Sequence, residues 1–347
     1  MLMQLSEEEM KKLMTFVLSI YSLQSFSQQK PHYTQYILNQ YIINPALSGI
    51  ENYTDIKLSH RHQWTGINGS PVTTYFSIQG PVGKKDYRTT ATSFDVPGEN
   101  PRGQRYWENY TAAESHHGLG LQIINDVTGP LSNSSAFITY AYHVGLSPRT
   151  NLSAGFGAGV TRWSLDATKL TFANASVDPA VYSAGVLNTI KFDMTAGVYL
   201  YSADYFIGLS AQQIVPSALD YSNSVITTGR GKTVPHFFAT TGYRFLINED
   251  LNWTPSLMIK YISPLPLQVE TNMKLQYRDV MWVGGSYRYK DGYAVMLGTN
   301  VSNTFNVSYS YDHTSSGLTN YSKGTHELII GFIIGNKYSD ACPRKVW

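Results

Sequence analysis

The sequence predicts an all-β fold, specifically a transmembrane antiparallel outer-membrane β-barrel of about fourteen strands. Three observations carry this. The stretch Leu267 to Arg278, LQVETNMKLQYR, alternates without a fault: Val269, Thr271, Met273, Leu275 and Tyr277 share one face, and Glu270, Asn272, Lys274, Gln276 and Arg278 the other. That is the period of a β-strand. The chain also opens with a secretory leader, and it holds no apolar run long enough for a spanning helix.

Composition agrees. Charged residues make up 14% of the 347 residues and aromatics 13%, with 26 Tyr. The mean hydropathy of -0.21 is the middle value expected when an apolar exterior and a polar interior average out. A formal net charge of +2, with Lys and Arg scattered, argues against a nucleic-acid binder.

From the start, Lys11 and Lys12 precede the apolar segment Leu13 to Leu23 and a small-residue stretch ending at Ser27. This is the layout of a signal peptide over residues 1–27, with Met10 the expected start because Glu7, Glu8 and Glu9 would make an acidic n-region. A buried core helix is the competing reading. No Cys follows the apolar run, so a lipoprotein leader is not expected; the lone Cys342 has no intramolecular partner. Residues 28–50 lack clean alternation, carry Pro45, and precede the barrel rather than joining it.

The barrel is expected over residues 51–334. Strands are read near Asp55–Trp64, Val72–Gly80, Gly118–Ile124, Ala136–Val144, Leu152–Thr161, Lys191–Tyr201, Tyr205–Gln212 and Phe237–Leu246. A second series follows near Asn252–Tyr261, Leu267–Tyr277, Val280–Tyr289, Tyr293–Asn300, Phe305–Tyr311 and Thr325–Ile334. With the first strand leaving the periplasm, Gly145–Thr150, Ser202–Asp204, Asn248–Asp250, Arg278–Asp279 and Ser302–Asn303 become short periplasmic turns, while Asp166–Ile190, Ile214–Pro235 and His313–Gly324 become long outer loops. Lys290–Gly292 is a tight outer hairpin. An inserted segment at about 84–116 breaks the pattern. It is a periplasmic appendage, a plug in the lumen, or a missed strand pair. A tail, 335–347, is expected in the periplasm.

Inward positions are Lys57, Arg61, Lys191, Asp193, Arg244, Lys260, Glu270, Lys274, Arg278, Arg288 and Glu327, whose mixed signs suit a paired, partly filled interior. Phe305, Val307, Tyr309 and Tyr311 face lipid and its aromatic belts. A soluble β-sandwich also alternates, with shorter and fewer strands.

Patterns that invite chemistry fail on inspection. His60 and His62, and the pair His116 and His117, come without a carboxylate or Cys at ligand spacing, so no metal is expected. Gly155, Gly157 and Gly159 fall at period two within a strand and miss the GxGxxG order; small residues on a strand face admit close approach of a plug or a neighbouring backbone. No Ser, His and Asp set is marked out, so neither an enzyme nor a cofactor is expected.

The segments between the strands carry a more specific resemblance. Gln35-Tyr36, Asn39 and Asn44-Pro45-Ala46 with Gly49 form a first block. His62-Gln63-Trp64-Thr65-Gly66, Gly69-Ser70-Pro71 and Thr73 form the next, followed by Gly118-Leu119-Gly120, Asn125-Asp126, Gly129-Pro130 and Tyr140-Ala141-Tyr142. Pro255-Ser256-Leu257, Lys260-Tyr261, Trp282-Val283-Gly284, Tyr287-Arg288, Tyr309-Ser310-Tyr311-Asp312 and Gly324-Thr325-His326-Glu327 complete the order. In this order they resemble the PorP/SprF family, outer-membrane proteins of the type IX secretion and gliding-motility system of Bacteroidota. Tyr87 to Ser115 is an insertion relative to the family's pattern.

The resemblance implies a non-enzymatic component. It would work with periplasmic, motor-linked type IX proteins in the outer-membrane lipid bilayer, or anchor a secreted adhesin by its C-terminal domain at the cell surface. It marks Gln35, Tyr36, Asn39, Asn44, Pro45, Gly49, Gln63, Trp64, Gly66, Gly69, Pro71, Asp126, Gly129, Pro130, Tyr311, Asp312, His326 and Glu327 as structural or partner-binding positions. Asn44 and Pro45 are expected to fix the turn by which the N-terminal segment enters or caps the barrel. The alternative function is a channel or transporter for a small or hydrophobic solute.

Overall fold

The computed structural model describes residues 33–84, 108, 110–169, 185–219, 231–315 and 317–335. The expected leader, the middle of the 84–116 insertion and the tail with Cys342 lie outside the described residues. No helix among them is long and apolar enough to cross a membrane.

The strands are β1 (Thr54–His62), β2 (Val72–Val82), β3 (His116–Thr128), β4 (Leu131–Ser147), β5 (Thr150–Asp166), β6 (Val186–Tyr201) and β7 (Tyr205–Gln212). A minimal hairpin, β8 (Ala218–Leu219) with β9 (Gly231–Lys232), stands in the connection that follows. Then come β10 (His236–Tyr243), β11 (Phe245–Asn248), β12 (Leu251–Ile262), β13 (Gln268–Tyr277), β14 (Met281–Arg288), β15 (Gly292–Asn300), β16 (Phe305–Thr314) and β17 (Thr325–Ile334). β10 and β11 both pair with β12 and form one wall strand, broken at Arg244, whose backbone N–H turns to the Asp204 carbonyl at 2.6 Å. Every neighbour is antiparallel. β1 closes on β17 from Thr54 opposite Ile334 to His62 opposite His326, which makes a closed 14-strand barrel with no sheet edge left along that seam.

Alternation decides the faces. In β13, Glu270, Asn272, Lys274 and Gln276 are buried toward the lumen while Thr271, Met273 and Tyr277 are exposed outward. Lys57, Arg61, Asp193, Arg244, Lys260, Arg288 and Glu327 likewise point in and are buried, and Lys191 is half-buried. Arg278 corrects the sequence reading. It leaves the strand at φ 47°, is exposed, and pairs across the turn with Asp250 at 2.7 Å. Alternation ends where the backbone enters the left-handed region, and that end is invisible to period counting.

Both chain ends of the wall lie at one rim. The connections 148–149, 202–204 and 249–250 at that rim are short, whereas the one between β2 and β3, 83–115, is long; the opposite rim carries 63–71, 167–185, 213–235 and 315–324. β3 to β6 run 13, 17, 17 and 16 residues, longer than the sequence suggested. A membrane crossing needs roughly 9 to 11 residues, so this part of the wall rises beyond it. The extension of β4 went unseen because its residues Ser132-Asn133-Ser134-Ser135 are polar on both faces.

The N-terminal segment fills the lumen, a placement the sequence left open. Every residue from Tyr33 to Tyr53 is buried. Three 3-10 turns, Tyr36–Leu38, Gln40–Ile42 and Pro45–Leu47, fold it into a compact plug. Its Tyr33, Tyr36, Ile37, Leu38, Ile42 and Ile43 pack with wall residues that include Tyr75, Phe238, Met258 and Met296. Of the insertion, residues 110–115 are described and form no strand. Tyr110 is buried with Tyr41, Leu47 and Tyr199 at the terminal rim, where Asn151 donates to its hydroxyl at 3.1 Å.

Candidate functional site

The family-pattern residues fall into three places. The first is the interface of plug and wall. Asn44 caps the last 3-10 turn: its Oδ1 accepts from the Ala46 N–H at 3.0 Å, and Pro45 follows at the first helical position, where its missing N–H costs nothing. Its Nδ2 donates outward to the carbonyls of Val198 at 3.1 Å and Leu209 at 3.4 Å, which pins the turn to β6 and β7. The expectation that Asn44 and Pro45 set this turn thus has a geometry. The turn lies inside the barrel.

Around it the wall is made of glycine so that backbone can meet backbone. A Cβ on Gly155 would stand 2.7 Å from Ala46 Cα, one on Gly197 would strike Asn44 Oδ1, and one on Gly118 would strike the Ser48 carbonyl. Gly49, at φ +75°, donates to Gln79 Oε1 at 2.6 Å. Asn39 donates to Ser77 Oγ at 3.1 Å, Ser210 to the Ile43 carbonyl at 2.7 Å, and Gln122 to the Tyr41 carbonyl at 2.6 Å. Burial pushes the phenols of Tyr33, Tyr36 and Tyr41 above the usual tyrosine range, so they stay neutral; Tyr36 accepts from Asn272.

At the loop-bearing rim the plug is held by charge. Glu327 accepts from the backbone N–H of Thr34 at 2.9 Å and of Gln35 at 3.4 Å, and faces Arg61 at 3.7 Å. Gln35 returns a bond to the Glu327 carbonyl at 2.9 Å. Asp312 sits between Arg61 and Arg288, takes the Thr34 hydroxyl, and Arg288 continues to Glu270 at 3.8 Å. A carboxylate so enclosed is tolerated because several donors converge on it.

The second place is a clasp of turns above that network. Arg61 donates to Gln63 Oε1 at 2.6 Å, and the Gln63 N–H to the Pro71 carbonyl at 2.8 Å, which closes the loop 63–71. Trp64, at φ 50°, donates its N–H to Thr325 Oγ1 at 3.1 Å; Gly66, at φ +96°, lies against Lys323. Gly69, at φ +71°, accepts from the Gly129 N–H at 2.9 Å, and Pro130 from the Asp166 N–H at 2.8 Å. Asp126 accepts from Thr73 Oγ1 at 2.6 Å. The third place is the lipid face, where His326 contacts the Tyr309 hydroxyl at 2.6 Å and Tyr311 lies 5.3 Å away, ring to ring. Tyr311 and His326 are therefore separate from the site inside.

Sequence reasoning weighed His116 only as a metal ligand and did not single out His143; their rings stack at 4.5 Å inside the terminal rim and bond the carbonyls of Gly49 at 3.2 Å and Ser48 at 2.8 Å. Their inward parity was the available signal. Among the described residues no three His, Cys, Asp or Glu side chains gather as a metal site.

A closed barrel of alternating strands, apolar outside and filled by its own N-terminal segment, defines a multi-pass integral outer-membrane protein. The chain matches the family described as type IX secretion system membrane protein PorP/SprF over residues 25–332, and it belongs to that family. No curated protein matches it in sequence. Among solved structures it is similar to the Acinetobacter baumannii outer membrane protein Omp33, at 8% identity and TM-score 0.44, covering 83% of this chain and 100% of that one. It is also similar to the CymD monoaromatic hydrocarbon channel, at 10% identity and TM-score 0.45 over 85% and 91%. A Pseudomonas aeruginosa FadL homologue aligns at 8% identity and TM-score 0.43 over 84% and 91%.

Proposed function

We propose that this protein is a non-enzymatic docking component of the type IX secretion and gliding system. Its loop-bearing rim faces outward and holds a secreted partner, an adhesin with a type IX C-terminal domain, while the terminal rim and tail face periplasmic, motor-linked proteins. The observation that carries the reading is the burial of every residue from Tyr33 to Tyr53 inside the barrel. A lumen filled by the chain's own segment, fastened through Asn44, Gly49 and Glu327, leaves the two rims as the working surfaces. Apart from the long β2–β3 connection 83–115, the turns at the terminal rim are short while 167–185 and 213–235 lie at the other, which supports the orientation.

The test is replacement of residues 213–235 by a short Gly/Ser link in the native strain, followed by a census of surface-retained secreted proteins. A specific secreted protein is expected to move from the cell surface to the medium while the barrel still assembles. An unchanged surface census after replacement of each long loop in turn would overturn the reading.

A further inference from the structure

At the loop-bearing rim, the outward side chains Phe237, Tyr261, Tyr287 and Tyr293 are half exposed and form the aromatic belt expected at a membrane surface. The closing seam departs from this. β1 and β17 span 9 and 10 residues, about the length of one crossing, so their outward positions nearest that rim stand at headgroup level. Those positions are His60 and His62 on β1 and His326 on β17. His62 lies directly opposite His326, which sets their Cβ atoms about 5 Å apart, and His60 is one outward step below.

Each ring is held by one nitrogen and offers the other. His60 Nδ1 meets Thr74 Oγ1 at 3.0 Å, His62 Nε2 meets Ser70 Oγ at 3.1 Å, and His326 Nδ1 meets the Tyr309 hydroxyl at 2.6 Å. Among the described residues the second nitrogen of each ring has no partner. Lys323 joins them from the loop above: it is exposed, its stem lies against Gly66, and its carbonyl takes the Tyr311 hydroxyl at 3.3 Å. Asp312 and Glu327 on the same strands point into the lumen, and the loops 63–71 and 315–324 contain no Asp or Glu. Below the cluster the same face turns apolar, with Leu58, Leu328 and Phe332 47%, 43% and 46% exposed. Nitrogen donors without a carboxylate, set over an apolar track at the membrane surface, match an amphiphile with an anionic head and a hydrocarbon tail.

We infer that the β17–β1 seam carries a lipid site. The phosphate of one bilayer lipid accepts from His60, His62, His326 and Lys323, and its acyl chains lie along Leu58, Leu328 and Phe332. The site needs the outer-membrane placement of the barrel and not the docking reading above. A lipid so held bridges the first and last strands, where the wall closes.

The test is native mass spectrometry of the full-length barrel in mild detergent, titrated with phosphatidic acid. A first phosphatidic acid is expected to bind at least tenfold more tightly than diacylglycerol, which has the same tails and no phosphate. His60→Gln, His62→Gln, His326→Gln and Lys323→Gln combined are expected to weaken that binding at least tenfold. Lys290→Gln, elsewhere on the same rim, is expected to leave it unchanged, and both variants to keep wild-type heat-modifiable migration. Phosphatidic acid with a photoreactive acyl chain, added to the wild-type barrel, is expected to label peptides containing Leu58, Leu328 or Phe332, which keeps the test open if the combined variant does not fold. Equal binding of the two lipids, unchanged binding by a folded combined variant, or labelling spread evenly over the outward strands would overturn the site. Displacement of phosphatidic acid by an equal concentration of inorganic phosphate would overturn the lipid as its occupant.

Discussion

Gly49 of the plug and Gly118 of β3 face each other so closely that neither position has room for a Cβ. Gly49 also needs its φ of +75°, because it turns the chain from the last 3-10 turn toward the terminal rim. The contact says that plug and wall were fitted at backbone distance.

Gly118→Ala therefore overpacks a site with no slack. The expected loss is about 1–3 kcal/mol in the unfolding free energy of the lipid-inserted barrel. Gly83→Ala is the comparison, since nothing stands within 4 Å of a Cβ there, though its φ of +75° adds a small strain of its own. Urea titrations followed by heat-modifiable migration measure both. Equal midpoints for Gly118→Ala and wild type would contradict the fit.

Asn44→Ala removes a cap and two bonds to the wall. About 2–3 kcal/mol should be lost, against less than about 1 for Pro45→Ala, whose fixed φ mainly restrains the unfolded chain. The plug should loosen first. Labelling of Ala46→Cys, in a Cys342→Ser background, by a small hydrophilic thiol reagent should rise in the Asn44→Ala barrel and stay low otherwise.

Two arginines test burial against exposure. Arg61→Met strands Glu327 beside Asp312 and is expected to cost about 3–5 kcal/mol. Arg278→Met breaks a shorter ion pair, 2.7 Å to Asp250, that is exposed to solvent, and is expected to cost below about 1 kcal/mol. The order, read in the same urea titration, matters more than either value.

Alkaline pH should open the plug. Burial raises the phenols of Tyr33, Tyr36 and Tyr41 above their unfolded value of about 10, so the unfolded chain ionises first. The tyrosine contribution to stability is therefore constant below pH ~10 and falls as pH rises past it. Tyr36→Phe with Tyr41→Phe should shift the alkaline midpoint upward, which absorbance at the tyrosinate band would show.

Much of the wall was legible because its signal is local. Tyr205–Gln212 and Thr325–Ile334 were read at their observed bounds, since apolar alternation stops where the strand stops. The tall end of β4 was not, because Ser132, Asn133, Ser134 and Ser135 are polar on both faces and carry no period. The lumen segment was harder. Its buried Thr34, Gln35, Asn39 and Gln40 look like a loop until the partners Glu327, Ser77 and Tyr199, brought close by barrel closure, are known. The trace it left in the sequence was the run of small residues in β5, read as room for a plug or a neighbouring backbone and found occupied by Ala46 at Gly155. Glu327 and Asp312 stood out by pattern alone; their joint grip on Thr34 needed the fold.

The most direct measurement is a mild-detergent affinity purification of the barrel from its native outer membrane, with mass spectrometry of what accompanies it. The account predicts stoichiometric recovery of a large secreted protein bearing a type IX C-terminal domain, or of a periplasmic motor-linked protein. A barrel recovered alone, with ion conductance in planar bilayers, would contradict it and make the chain a channel.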